Sequence, residues 1–153
     1  MLPMSQNKKI LLIEDDPFAA EWVERIVKKR FVSGVEIDRI TSEREFLLRL
    51  PQLSKENYAA IILDLILPWE DGVSLDTSEE HLEPRGDVYE AGIRIFADLK
   101  HSNKFRTIPI VIYSINDEDR IAWPEKLEKP QFINKQAPDF RLLEWLSGSL
   151  GSS

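Results

Sequence analysis

Four carboxylates stand out for where they sit. Glu14, Asp15 and Asp16 follow the apolar run "ILLI" without a break, and Asp64 interrupts "IILDLIL". A carboxylate inside or at the end of an apolar segment is costly unless it is paired or bound to something. Two carboxylates about 4 Å apart repel by roughly 4 kcal/mol at an effective dielectric near 20. Acids brought together in this way must hold a cation or keep a proton. A hard divalent ion suits them. Magnesium in particular accepts a few carboxylate oxygens, keeps several waters and often takes a phosphoryl oxygen as a further ligand. The chemistry suggested is metal-assisted handling of a phosphoryl group, provided the fold carries Asp64 to the acidic run.

The elements that must do so can be read from periodicity. "ILLI" is too short for a helix and suits a strand buried on both faces. After Pro17, which fits a helix's first turn, Trp22, Val23, Ile26, Val27 and Phe31 recur at helical spacing among charged residues. "GVEIDRIT" reads as a second strand, and "SEREFLLRLPQL" as a helix opened by a capping box of Ser42 and Glu45. "YAAIILDLIL" is the third strand, "AGIRIFADLKHS" a helix, "IPIVIYSI" the fourth strand, "QFINK" the fifth and "DFRLLEWLSGSL" the closing helix. Alternation of this kind predicts an α/β fold with a parallel sheet and helices on both faces.

Two segments interrupt the pattern. Residues of about 73–90 form an acidic, turn-rich insertion, with Asp76, Glu79, Glu80, Glu83, Asp87 and Glu90 against a single Arg85. "NDEDRIAWPEKLEKP" should contain the fourth of five helices, but Pro124 in its middle predicts that this helix is short or broken.

Composition sets the outer bounds. The chain has 153 residues, 42% hydrophobic and 31% charged, enough for one domain, expected over 8–148. A net charge of -7 with no basic, aromatic-interleaved patch argues against direct nucleic-acid partners and anionic membranes. There is no cysteine, so disulfides and thiolate chemistry are excluded. No signal-like or membrane-spanning run is present, and a cytoplasmic location is the expectation. His81 and His101 read as surface residues.

In a doubly wound sheet, ligands sit beyond the carboxyl ends of the strands where the strand order reverses. With the five-stranded, flavodoxin-like order 2-1-3-4-5, the first and third strands are neighbours at that point. Glu14, Asp15 and Asp16 end one, and Asp64 falls late in the other. The carboxylates should converge there.

These residues carry a family resemblance. "LLIEDDP", "LDLILPWEDG" with its D-x-x-x-P-x-x-x-G spacing, "IPIVIYS" and "FINK" occur in order at predicted strand ends. The chain resembles the receiver domain of two-component response regulators over nearly its whole length. The resemblance implies that Glu14 and Asp15 hold Mg2+ with Asp64 and the backbone carbonyl of Ile66. It implies that Asp64 is the phospho-acceptor, served by a histidine kinase or histidine phosphotransfer protein. Ser114 and Lys135 would contact the phosphoryl group, and Ser114 with Phe132 would form the switch. The coupled face would comprise the fourth helix, fifth strand and fifth helix, a face that also allows a homodimer, and an output protein of unknown identity would read it.

The pattern has departures. Gln136 stands where the family usually has proline after the lysine. Ile66, two past the acceptor, is apolar and cannot orient an attacking water, whereas Asn116, two past Ser114, could. Slow self-dephosphorylation follows as an expectation. The expected protein is a stand-alone phospho-acceptor switch, not a turnover enzyme. Its rival is a phosphorylation-independent interaction module with the same fold. A haloacid-dehalogenase-type hydrolase would want a second acid where Ile66 stands, and glycine-rich nucleotide loops are absent.

Overall fold

A computed structural model describes residues 7–32, 34–70 and 82–151. Five strands, β1 (Lys8–Ile13), β2 (Val35–Ile40), β3 (Tyr58–Leu63), β4 (Ile110–Ser114) and β5 (Gln131–Asn134), form one sheet in the order β2-β1-β3-β4-β5. Every pairing is parallel. The order reverses between β1 and β3, as expected.

Among the described residues, four α-helices cover the two faces: α1 (Pro17–Arg30), α2 (Glu43–Leu53), α3 (Ala91–Lys100) and α4 (Asp139–Leu150). Side chains alternate along each strand, so Leu11, Ile13, Ile61, Leu63 and Ile112 pack with α2 and α3. Ile10, Leu12, Ile62 and Val111 pack with α1 and α4. Burial on both faces explains why β1, β3 and β4 read as apolar runs, whereas the edge strands β2 and β5 carry polar residues.

Helix starts follow local chemistry. Asp16 caps α1 by accepting from the amide of Phe18, and Pro17 opens its first turn. Ser42 caps α2 by accepting from the amide of Glu45 at 3.0 Å. The carboxylate of Glu45 in turn accepts from the amide of Thr41, one residue before the cap. Trp22 departs from the apolar face expected of it. It is 43% exposed, and its indole N–H donates to Asp139 at the start of α4.

Two elements differ from expectation. β3 ends at Leu63, so Asp64 lies just beyond the strand. Leu65 and Leu67 stay buried, but their backbones turn away to bond with Gly92 and Val88 instead of a strand. The fourth helix is replaced by a single 3-10 turn, Glu118–Arg120, and then irregular chain to Lys129. Pro124 and Pro130 remove amide donors there, and Trp123 turns inward against Phe96 and Phe132. A face built on a fourth helix, including a homodimer through it, therefore lacks that helix among the described residues. Residues 71–81, with Gly72, His81 and the first part of the expected insertion, lie outside the described residues. No helix among the described residues is long and apolar enough to cross a membrane.

Candidate functional site

The carboxyl ends of β1 and β3 bring the acids together as their adjacency requires. The amide of Glu14 donates to Ile40 of β2, and the amide of Asp64 donates to Ile13 of β1, both at 2.9 Å. These bonds extend the ladder by one residue and aim both carboxylates into the same pocket. Carboxylate oxygens of Glu14, Asp15 and Asp64 lie within 4.8 Å of one another. Glu14 and Asp64 are buried, and Asp15 is exposed. Asp16 is spent on capping α1.

Lys135 enters from the end of β5. Its Nζ lies 2.5 Å from Glu14 Oε1 and 3.0 Å from Asp64 Oδ2. One cation thus bridges two buried carboxyl groups and leaves Asp15 on the open side. Burial, and then the charge of Asp64, push the Glu14 carboxyl up to about 8. The same two causes raise Asp15. Burial would lower Lys135, but the charge of Asp64 and the contact with Glu14 outweigh it and hold the ammonium above its ordinary range. The pocket therefore carries more acid than its lysine neutralises. Its all-oxygen donor set fits a hard divalent cation, since such ions favour carboxylates, carbonyls and water.

Ser114, the last residue of β4, is buried. Its Oγ accepts from the amide of Asn116, and its carbonyl accepts from the amide of Lys135, so the β4 and β5 ends are joined. Asn116 itself is exposed. Ile66 lies two residues past Asp64, and its amide donates to Asp64 Oδ1 at 3.3 Å. Phe132 lies on the opposite face of β5 from Ile133, edge-on to Trp123 with ring centroids 5.5 Å apart.

Gln136 does not keep Lys135 from the acids. Asn134 braces the turn: its Oδ1 accepts from the amide of Gln136 at 2.7 Å, and its Nδ2 donates to the carbonyl of Ile115 and to Asp117. Sequence reasoning passed over Asn134, although an Asn two residues before an amide is a known turn former. It also passed over Arg39, whose guanidinium donates to the carbonyls of Glu14 and Asp15. A third omission is Glu43, buried at the start of α2 and bonded to Arg85 and Arg94. No local signal marks that pairing.

No family model matches the chain. Over 65 residues it is 43% identical to the transcriptional regulatory protein HprR of Escherichia coli (strain K12), covering 42% of this chain and 26% of that protein. The match spans about a quarter of that relative's length. Among solved structures, the chain is similar to a CheY-like response regulator receiver domain from Methylobacillus flagellatus. The TM-score is 0.61 at 21% identity, over 94% of this chain and 99% of that one. It is also similar to the phosphorylated cyanobacterial phytochrome response regulator RcpA, with a TM-score of 0.59 at 22% identity, over 94% and 91% of the two chains. The fold is that of response-regulator receiver domains.

Proposed function

We propose that the chain is a receiver that accepts a phosphoryl group on Asp64 from the phosphohistidine of a histidine kinase or phosphotransfer protein. The observation that carries this reading is Lys135 bridging Glu14 and Asp64 at the sheet's reversal point, with Asp15 beside them. In the transfer, a carboxylate oxygen of Asp64 attacks phosphorus. The bond from phosphorus to the imidazole nitrogen breaks, and the imidazole leaves as the acyl phosphate forms. Phosphoryl transfer needs positioning and neutralisation of spread charge more than covalent help from the protein. Lys135 supplies one positive charge already in contact with Asp64, and the hydroxyl of Ser114 supplies a donor.

Glu14, Asp15, Asp64 and the carbonyl of Ile66 would hold Mg2+, which neutralises phosphoryl oxygens when bound. Exposed Phe18, Ile115 and Phe140 follow the ends of β1, β4 and β5, and apolar surface on that side of the sheet supports a protein as donor. Ser114 and Phe132 are the switch pair, and an output protein would read the surface they move. The acyl phosphate is itself the signal, so the chain is a phospho-acceptor and not a turnover enzyme. With Ile66 unable to orient water and Asn116 exposed, the phosphorylated form should last minutes or longer, and a lifetime of seconds would sink that point.

The experiment is intact mass after incubation with Mg2+ and acetyl phosphate, for wild type and Asp64→Asn. Gain of one phosphoryl group by the wild type, lost in the mutant and in chelator, is expected. No gain, with no Mg2+ binding, would favour a phosphorylation-independent interaction module of the same fold.

A further inference from the structure

The loop after Asp64 hangs between two supports. On one side the amides of Glu43 and Arg44, at the start of α2, donate to the carbonyls of Pro68 and Trp69 at 3.0 and 2.8 Å. On the other, the amide of Gly92 in α3 donates to Leu65, and the carbonyl of Val88 accepts from Leu67. Ile66 lies inside this suspended stretch. Its position depends on how firmly the two supports are joined.

A charge cluster joins them. The Glu43 side chain is 2% exposed and takes four donors. Arg94 of α3 reaches Oε2 through Nε at 2.9 Å and Oε1 through Nη2 at 2.7 Å. Arg85 reaches Oε2 through Nε at 2.9 Å and Nη2 at 2.6 Å. Arg85 also pairs with Asp98 at 2.9 Å, and Arg94 donates to the carbonyl of Asp87 at 2.9 Å. Burial alone would raise the Glu43 carboxyl, yet the two guanidiniums hold it below its ordinary range. The ion is therefore charged and fully engaged. Removing one partner from such a cluster leaves uncompensated buried charge, which is far more disruptive than losing an exposed pair.

We propose that Glu43 is a positioning residue for the metal-holding loop, acting through Arg94 of α3 and Arg85 of the arm that precedes it. The inference rests on the phospho-acceptor reading above. Glu43 is not one of the three clustered acids. Its backbone holds the loop while its side chain holds the opposite support, so it closes a ring around residues 65–69. Asp64 is tied separately, through its amide to Ile13. Loosening the ring should reach the Ile66 carbonyl before the nucleophile, and metal affinity should suffer more than the transfer step. Residues that orient metal ligands from outside typically change affinity by roughly 10–100-fold when altered.

The test is calorimetric titration of the full chain with MgCl2, alongside the acetyl phosphate rate at saturating Mg2+. Glu43→Gln should raise the Mg2+ Kd about tenfold, while the saturated rate falls by less than about threefold. Arg94→Lys keeps the charge but loses the two-pronged geometry, and should raise Kd by an intermediate factor. A lower melting temperature with an unchanged Kd would mean that the cluster only staples α2 to α3, and would overturn the proposal. If Glu43→Gln does not fold, Arg85→Met decides: a Kd raised about threefold supports the proposal, and an unchanged Kd overturns it. A wild type that binds no Mg2+ would overturn the phospho-acceptor reading as well, an outcome distinct from a wild type that binds and variants that bind equally.

Discussion

The two connections that flank β4 are held by different forces. The one from Asp64 to α3 is fixed at its described ends by directional bonds: four backbone hydrogen bonds to residues 65–69 and the ion cluster at Glu43. The one from Ser114 to β5 is tied at its start by Asn134, which donates to Ile115 and Asp117, but its middle is anchored mainly by edge-to-face rings. Phe96 meets Trp123 edge-on at 5.1 Å, Trp123 meets Phe132 at 5.5 Å, and the indole donates to the carbonyl of Leu127. Hydrogen bonds and buried ion pairs lose most of their strength with small displacements, whereas aromatic pairs contribute roughly 0.5–1.5 kcal/mol over a range of geometries. Stiffness therefore gathers on the side that would hold metal and nucleophile. The compliant side is the one that carries Phe132, the aromatic proposed above as a switch residue.

Breaking the stiff side should have the largest effect. A Cβ on Gly92 would lie 2.4 Å from the carbonyl oxygen of Asp64 and 2.4 Å from Leu65 Cα, both backbone atoms that cannot swing aside. Gly92→Ala should cost about 3 kcal/mol in urea denaturation and abolish phosphorylation by acetyl phosphate. Stability within about 0.5 kcal/mol of wild type would show that the loop yields more easily than its bonds suggest.

The compliant side should break with less consequence for the site. Trp123 is half-buried, and Trp123→Ala should cost about 2 kcal/mol while leaving Mg2+ affinity within about twofold of wild type. A tenfold loss of affinity would erase the distinction between the two connections.

The smallest signal is a proton. The Glu14 carboxyl ionises near its ordinary 4.5 when unfolded and is pushed up to about 8 by burial and the charge of Asp64 when folded without metal. Between those values the folded state holds the extra proton, so stability of the metal-free protein falls as pH rises through that window. Mg2+ needs the ionised carboxylate, so its uptake at pH 7 should release part of one proton and its affinity should rise up to about pH 8. Calorimetry in buffers of differing ionisation enthalpy measures the release. No release would place the proton elsewhere than on Glu14.

Much of this molecule was legible in its sequence. Apolar runs four to six residues long, separated by amphipathic segments, specify parallel strands and covering helices because each pattern has one way to bury its face. The alternation pointed to a doubly wound sheet, the flavodoxin-like order then put Glu14, Asp15 and Asp64 together, and the part of Lys135 came from the resemblance to receiver domains. The closing helix appears over the predicted residues. Other features required the third dimension. The replacement of the fourth helix was half visible in Pro124, but the inward turn of Trp123 depends on a space between Phe96 and Phe132 that only packing creates. Asn134 looked like an ordinary strand residue until the turn it braces was in place. Glu43 lies 42 residues from Arg85 and 51 from Arg94. Local pattern reports propensity and the face a residue presents, whereas a buried ion pair depends on which distant charge the fold delivers to it, and only the assembled tertiary structure decides that.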